Sequence, residues 1–317
     1  MKKNSRIFLA GHNGLVGSAV HRKLLKEGFK NILTVRKKRL DLRNFDKTQR
    51  FFKKKKIDYM IMAAAKAGGI MANSSNQKDF FFENIEIQNT LLKLALKKKI
   101  KRTIFLGTSC IYPKHARNPI KEDYLLTGKL EKTNQSYAIA KIAGIKLCEV
   151  LYNDFNLDIV CLMPTNIYGI NDNFNKFSGH VIPAIINKTQ HAKKNKKKKL
   201  YLLGTGKAVR EFLYCDDLAE AIFLVLNKKK KLIYKTCKKK FPIINIGSGK
   251  SITINNLSKK ISKYIDYRGK IYFDSRYPDG TKKKNLNSSI IRKLGWKPKV
   301  SLDVGLKKSI EYYLNNK

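Results

Sequence analysis

Three glycines, each three residues from the next, follow the first apolar run of the chain and constrain its fold more than any other feature. Ile7–Ala10 has the pattern of a short buried strand, and Gly11, Gly14 and Gly17 come next, at the start of a helix predicted over 15–28. Glycine permits a tight turn and close approach of backbone to a pyrophosphate, and a helix N-terminus attracts phosphate. The pattern predicts a strand–turn–helix unit that binds a dinucleotide, with an ordinary glycine-rich turn as the alternative.

Short apolar runs alternate with longer mixed segments through the first half of the chain. Further strands are predicted over 31–35, 59–65, 103–108 and 159–163, and helices over 45–55, 80–98 and 137–155. Nearly continuous apolar strands are typical of a parallel sheet covered on both faces. The sequence therefore predicts an α/β fold: a Rossmann-type doubly wound parallel sheet with a smaller C-terminal α/β substrate-binding domain. The predicted domains are 1–166 with 211–249, and 167–210 with 250–317.

The charge of the chain is strongly one-sided. Its 68 lysines and arginines outnumber 23 aspartates and glutamates, for a formal net charge of +45. Such a charge suits a polyanion partner, but no helix-turn-helix, zinc-finger or RNP pattern accompanies it. We expect a solvated basic surface that attracts polyanions weakly at low salt, and no specific nucleic-acid partner.

The cysteines and the hydropathy of the sequence indicate the cellular compartment of the protein. The five cysteines are odd in number and have neither CxxC nor His-flanked spacing, which disfavours a disulfide framework and a metal site. No apolar run is long enough to cross a bilayer, and no secretory signal pattern is present at the N-terminus. We therefore expect a cytoplasmic protein with no membrane partner and no bound metal.

The end of the second predicted strand bears on the identity of the dinucleotide. Arg36 stands where an acidic residue would accept hydrogen bonds from the ribose 2′-hydroxyl of NAD. A basic residue there suits a 2′-phosphate, so we expect NADP(H), although an arginine could occur there by chance in so basic a chain. Asp41, a few residues later, is placed near the adenine.

A tyrosine and a lysine four residues apart predict carbonyl chemistry. Tyr137 and Lys141 share one face of a predicted helix. An ammonium group near a phenol favours the phenolate and brings tyrosine into range as a proton donor to a carbonyl. Thr108, at the end of the fourth predicted strand, offers a hydroxyl to the same carbonyl oxygen. Together with the glycine turn, these residues predict a dinucleotide-dependent reductase.

Several segments resemble the extended short-chain dehydrogenase/reductases over nearly the whole chain. The most selective are Ser-Cys-Ile-Tyr-Pro-Lys at 109–114 and His-Val-Ile-Pro-Ala at 180–184. Within that family they are most similar to NADPH-dependent enzymes that act on GDP-4-keto-6-deoxy-D-mannose. The resemblance implies 3,5-epimerisation followed by 4-reduction to GDP-L-fucose, with NADP(H) as cofactor, a GDP-sugar as substrate and a homodimeric state.

The resemblance also implies individual roles. Carbons 3 and 5 lie beside the C4 ketone, so a proton removed there leaves an enolate that the C4 oxygen stabilises. Cys110 is implied as the base and His180 as the acid, while Tyr137 and Thr108 hold that oxygen and Lys141 serves both catalysis and cofactor binding. The implied substrate-binding residues are Asn166, Lys188, Arg210 and Lys284.

Three positions depart from the family pattern, and two other functions stay open. Asn13 stands where relatives often have arginine, Thr108 where many have serine, and Leu203 where some have tryptophan. A 4-epimerase or 4,6-dehydratase of the same family is one alternative. A dehydratase would be expected to have acidic groups where this chain has Cys110 and Ile111, and a 4-epimerase would leave Cys110 without a role. The other alternative is a non-catalytic dinucleotide-binding protein.

Overall fold

The first half of the chain alternates strands and helices, as the sequence predicts. The computed structural model describes residues 1–238 and 240–316. Its first ten elements are β1 (Ile7–Ala10), α1 (Leu15–Lys26), β2 (Ile32–Leu33), α2 (Phe45–Phe52), β3 (Tyr59–Met62), α3 (Ile70–Ser75), α4 (Gln77–Lys97), β4 (Arg102–Leu106), α5 (Gln135–Phe155) and β5 (Ile159–Pro164).

The second half is built from shorter pieces. They are β6 (Asn166–Tyr168), α6 (Val181–Lys194), β7 (Lys199–Leu203), β8 (Val209–Tyr214), α7 (Cys215–Asn227), α8 (Lys230–Thr236), β9 (Ile243–Ile246), β10 (Ser251–Thr253), α9 (Ile254–Ile265), β11 (Lys270–Asp274), β12 (Lys283–Lys284), α10 (Ser289–Lys293) and α11 (Leu302–Asn315).

A sheet of six parallel strands, in the order β2-β1-β3-β4-β5-β9, forms the centre of the molecule. Successive side chains of a strand point to opposite faces, so Ile7 and Leu9 pack with α1 and α7, whereas Phe8 packs with α2, α4 and α5. All three side chains are fully buried. A parallel sheet covered by helices on both faces confirms the predicted doubly wound α/β fold.

The strands that are not part of the central sheet form two smaller sheets. In one, β8 pairs with β6 and β12 in parallel and with β10 in antiparallel orientation; in the other, β7 pairs with β11. The register places Arg210 of β8 opposite Lys284 of β12. The domain limits predicted from the sequence stay a prediction.

Some predicted elements have different bounds in the structure. β2 is only two residues long because it is an edge strand with a single partner, β1. β3 ends at Met62, and the following alanines leave the sheet beside the glycine turn. The lysine-rich stretch at 193–199 comprises the end of α6, a four-residue connection and the first residue of β7.

The part of the chain that the structure describes contains no helix long and apolar enough to cross a membrane. In that same part, no group of three or more histidines, cysteines or acidic residues is placed to hold a metal ion.

Candidate active site

The glycine turn between β1 and α1 is shaped by close backbone approach. Gly11 has φ +84°, and a Cβ there would lie 2.6 Å from the backbone nitrogen of Ala64. A Cβ on Gly17 would overlap the carbonyl oxygen of Gly11, whereas one on Gly14 would meet only that oxygen at 3.6 Å. Gly14 is the N-cap of α1, and no side chain caps the helix. The helix therefore begins at an open position whose N–H groups can bind phosphate.

A basic cavity of about 800 Å³ opens beside this turn. Its positively charged or imidazole lining comprises His12, His21, Arg22, Arg36 and Arg39. Arg22 is paired with Asp216 at 2.7 Å, but no described carboxylate oxygen lies within 4 Å of Arg36 or Arg39. Unpaired cations next to an uncapped helix N-terminus fit the phosphates of a dinucleotide, including a 2′-phosphate.

His12 lines this cavity and has a buried ring nitrogen that forms no hydrogen bond within the described residues. Its Nδ1 is buried and has no hydrogen-bond partner among the described residues. Burial, His21 and Arg36 together lower the pKa of His12. A neutral imidazole whose Nδ1 is free to form a hydrogen bond is consistent with a ligand bound in this cavity. Asn13 lines the same cavity, so the departure from arginine falls at the place where the resemblance puts a cation.

Asp41 is separated from Arg36 by the turn that carries Arg39. Its carboxylate accepts hydrogen bonds from Arg43 at 2.6–3.0 Å, which hold the pKa of Asp41 below its usual range. Asp41 lines a second cavity of about 600 Å³, and Arg39 lines both cavities. The two predicted cofactor residues thus lie in neighbouring pockets rather than in one.

Tyr137 and Lys141 lie on α5 and meet the end of β4. The ring of Tyr137 packs edge-on against Phe80 with centroids 6.1 Å apart, and Thr108 forms a hydrogen bond with the phenol. Lys141 is 4% exposed and donates to the carbonyl oxygen of Leu106 at 3.0 Å. Thr108 and Tyr137 are therefore brought together, and Lys141 lies one helical turn further along α5.

The pKa of Tyr137 is raised in the structure, whereas the tyrosine–lysine spacing predicts a lowered one. Burial, and then the nearby Cys110, raise the pKa of the phenol, against the smaller effect of the Thr108 hydrogen bond. Burial also lowers the pKa of Lys141 to about 8. The Lys141 ammonium group donates to the Leu106 carbonyl oxygen, and the groups that shift the pKa of Tyr137 are Cys110 and Thr108.

Cys110 follows Thr108 in a short 3₁₀ turn, Ser109–Ile111, at the carboxyl end of β4. The Thr108 hydroxyl caps that turn by accepting from the Cys110 backbone N–H at 3.2 Å. The sulfur accepts from Asn134 Nδ2 at 3.2 Å and from Lys284 Nζ at 3.8 Å. Cys110 is partly exposed, whereas Cys148, Cys161, Cys215 and Cys237 are buried.

His180 is the N-cap of α6 and lies against the loop that follows β3. A Cβ on Gly69 would be 2.5 Å from the Gly179 carbonyl oxygen and 3.9 Å from the Cα of His180. Burial lowers the pKa of the imidazole. A Cβ built on Gly280 would lie 3.4 Å from Ile70 Cδ1 and 3.6 Å from Arg210 Nη2. Within the described residues, no side-chain hydrogen bond or ring contact joins His180 to Thr108, Cys110 or Tyr137, so its place beside Cys110 stays a prediction.

The implied substrate residues fall into two groups. Arg210 is held by the carbonyl oxygens of Val209 and Asp279 at 2.9 and 2.8 Å, and Asn166 donates to the carbonyl oxygen of Glu211 at 2.8 Å. These two and Lys284 lie on adjacent strands of the β8 sheet. Lys188 lies on α6, about 10.5 Å along the helix from its first residue, and is not connected to that group by a described contact. Burial and Lys176 lower the pKa of Lys188.

Two residues that position this site have no distinctive sequence signal. Asn134 precedes α5 and contacts the Cys110 sulfur, but an asparagine before a helix more often indicates a cap. Glu211 is fully buried and accepts from the backbone N–H groups of Gly249 and Leu286 at 2.6 and 2.8 Å. The sequence shows only two adjacent charged residues, Arg210 and Glu211, in an otherwise apolar strand, and this does not indicate such a role.

Comparison with known proteins agrees with this geometry. Residues 7–247 match the model of the NAD dependent epimerase/dehydratase family. The chain belongs to this family. It is 43% identical to GDP-L-fucose synthase 1 of Arabidopsis thaliana over 314 residues, covering 99% of this chain and 94% of that protein. It is 39% identical to GDP-L-fucose synthase of Escherichia coli K12, covering 98% of this chain and 97% of that protein.

Solved structures of the epimerase/dehydratase family share the whole fold. A GDP-6-OMe-4-keto-L-xylo-heptose reductase from Campylobacter jejuni superposes with a TM-score of 0.93 at 32% identity, covering 100% of this chain and 99% of that one. A GDP-D-glycero-L-gluco-heptose synthase from the same organism, solved in the presence of NADPH, gives 0.90 at 32% identity with 99% of each chain covered. The predicted family, fold class, enzyme class and nicotinamide cofactor are therefore confirmed.

Proposed function

We propose that this protein converts GDP-4-keto-6-deoxy-D-mannose into GDP-L-fucose by 3,5-epimerisation and NADPH-dependent 4-reduction. The observation that carries the proposal is that one threonine hydroxyl, Thr108, contacts both the Tyr137 phenol and the Cys110 backbone. This arrangement supports a site in which the phenol and the thiol act on the same sugar. The names of the curated relatives support the same substrate.

In the reduction, this chain's residues hold and protonate the C4 oxygen. Thr108 and Tyr137 bind that oxygen, and the raised pKa of Tyr137 keeps the phenol protonated until the oxygen gains negative charge. Lys141, fixed by the Leu106 carbonyl, supplies the nearby positive charge. The cofactor, held by the glycine turn and by Arg36 and Arg39, supplies a hydride to C4 when bound.

In the epimerisation, the same oxygen site stabilises an enolate. The Cys110 sulfur removes a proton from C3 or C5 and the electron pair moves onto the C4 oxygen, where Tyr137 and Thr108 bind it. His180 returns a proton to the opposite face of the carbon. Burial lowers the pKa of His180, which makes its protonated ring a stronger acid. Arg210, Asn166 and Lys188 hold the nucleotide diphosphate.

The decisive assay mixes the pure protein with GDP-4-keto-6-deoxy-D-mannose and NADPH. We expect loss of NADPH absorbance and an NMR spectrum of GDP-L-fucose. Tyr137→Phe should lower turnover at least about 100-fold with cofactor binding retained, while Tyr124→Phe, at a separate cavity, should match the parent protein. No NADPH consumption would exclude the reductase, and unchanged turnover in Tyr137→Phe would favour a non-catalytic role.

The epimerase half has its own readout, which also separates it from 4-epimerases. In D₂O, the parent protein should introduce deuterium at C3 and C5 of the keto-sugar. Cys110→Ser and His180→Gln should each suppress this exchange more strongly than they weaken NADPH binding. Reduction without deuterium incorporation would indicate a plain 4-reductase.

A homodimer in the cytoplasm completes the proposal. Helices α4 and α5 pack against each other and leave four large apolar side chains exposed, namely Phe82, Ile139, Val150 and Phe155. A second copy is the partner that the resemblance implies for this surface. Light scattering should give twice the chain mass, and Ile139→Lys with Val150→Lys should give the monomer mass.

A further inference from the structure

Lys284 is a buried ammonium group without a carboxylate partner. It is 8% exposed, and no carboxylate oxygen of the described residues lies within 4 Å of its Nζ. A buried charge is costly unless a group of opposite charge or a set of acceptors compensates it. The Glu131 carboxylate, which faces Lys284, is itself paired with Lys114 at 3.0 Å.

The compensating group is the sulfur of Cys110. Lys284 Nζ and Asn134 Nδ2, at 3.8 and 3.2 Å, both donate toward it, and both can only donate. The Arg210 guanidinium also interacts with this sulfur, as does the Tyr137 phenol. Among the described residues, two side chains donate toward the sulfur, and no hydrogen bond from the thiol to an acceptor is found. Cationic neighbours are the general means by which proteins stabilise a thiolate.

Strand pairing and a backbone hydrogen bond fix the position of Lys284. β12 pairs with β8 so that Lys284 lies opposite Arg210. Two residues later, the Leu286 N–H donates to the fully buried Glu211 carboxylate at 2.8 Å. Because strand side chains alternate, the preceding Lys283 points to the other side and is exposed. The chain thus contains a matched pair of neighbouring lysines, one facing the thiol and one facing solvent.

We propose that Lys284 forms a thiolate–ammonium pair with Cys110 and thereby serves the epimerisation rather than nucleotide binding alone. This rests on the proposed function. The thiolate takes the proton from C3 or C5 and becomes a thiol, while the carbon's electron pair moves to the C4 oxygen. Lys284 stays protonated, and exchange with water restores the thiolate and the proton on His180. Lys284 is a positioning residue, since it acts through Cys110.

Alkylation of Cys110 by iodoacetamide tests the pair without any substrate. The other four cysteines are buried, and Cys110→Ser measures their background reaction. Lys284→Met should slow alkylation at pH 7 about tenfold and move the midpoint of its pH profile upward by about one unit. Lys283→Met should leave the profile unchanged, and Lys284→Arg should restore most of it. Thermal melts of each variant confirm that it is folded.

Two outcomes separate this proposal from the proposed function. An unchanged alkylation midpoint in folded Lys284→Met overturns the ion pair even if the parent enzyme makes GDP-L-fucose. A shifted midpoint with no NADPH consumption in the parent protein keeps the ion pair and rejects the proposed substrate. In an active enzyme, Lys284→Met should lower the rate of deuterium entry at C3 and C5 as well as change KM. A rise in KM alone would mean that Lys284 only binds nucleotide.

Discussion

Lys141 carries its charge where water does not reach it. The side chain is 4% exposed, and burial lowers its pKa from the usual 10.5 to about 8. The folded protein therefore bears a penalty for keeping this group protonated at pH 7, of about 3 kcal/mol as an upper bound. The positive charge that the proposed chemistry needs near Tyr137 therefore lowers the free energy of unfolding.

Replacing this lysine should separate stability from activity. Lys141→Met should abolish turnover yet raise the free energy of unfolding at pH 7 by about 1–2 kcal/mol, because the charge penalty disappears while the Leu106 carbonyl loses its donor. Between pH 8 and 10.5 the unfolded chain binds more protons than the folded one, so stability of the parent rises with pH and the difference shrinks. Urea unfolding at pH 7 and at pH 10 measures this.

A control lies on the same helix. Lys146 is exposed and paired with Glu149 at 2.8 Å, so Lys146→Met should change the free energy of unfolding by less than about 0.5 kcal/mol at either pH. A Lys141→Met protein that is less stable than the parent at pH 7 would contradict the assigned penalty.

At the residue scale, the proposed reacting residues can be recognised in the sequence more easily than the residues that position them. Tyr137 and Lys141 are recognisable because a four-residue helical spacing is a property of the chain itself. The contact of Asn134 and Lys284 with Cys110 joins segments far apart in the chain, and no local pattern encodes it. Lys284 is additionally hidden, because it lies in a run of three lysines whose members look alike.

At the scale of elements, the turn between β1 and α1 contains two glycines with different reasons to be glycine. Gly17 is pressed against the backbone of Gly11, while Gly14 faces open space at the start of the helix. The first therefore serves helix–strand packing, and the second serves access of a phosphate to the helix N-terminus.

Alanine at each position should give different results. Gly17→Ala should lower the melting temperature sharply or prevent folding, because backbone must move to make room. Gly14→Ala should melt close to the parent protein but bind NADPH at least about tenfold more weakly, since the methyl group occupies the approach to the diphosphate. Circular dichroism and a fluorescence titration with NADPH measure the two effects. Normal NADPH affinity in Gly14→Ala would move the phosphates away from this turn.

The predictability of elements follows their length and apolar content. Ile7–Ala10 has in the structure the bounds that the sequence predicts, and α5 ends at Phe155 as predicted, because a continuous apolar run and a long helical pattern mark them. β12 consists of two lysines and exists only because β8 provides a partner. Such a strand has no sequence pattern from which it could be predicted.

For the molecule as a whole, positive charge is far in excess of negative charge. With a formal net charge of +45, the folded surface repels itself, and salt screens that repulsion. Raising NaCl from about 50 to about 500 mM, across which the Debye length falls several-fold, should raise the melting temperature by a few degrees. Differential scanning fluorimetry measures this, with sucrose of equal osmolarity as control. A melting temperature that falls with salt would show that attractive ion pairs dominate.

The path of the chain between the sheets has a consequence for biosynthesis. β9, Ile243–Ile246, is the sixth strand of the central sheet and pairs only with β5, yet it is made after β6, β7 and β8. On the ribosome, the nascent chain must therefore keep an open sheet edge at β5 while the intervening segments emerge. The six-stranded sheet can therefore be completed only after translation has passed Ile246, which is before β10, β11 and β12 of the two smaller sheets are made.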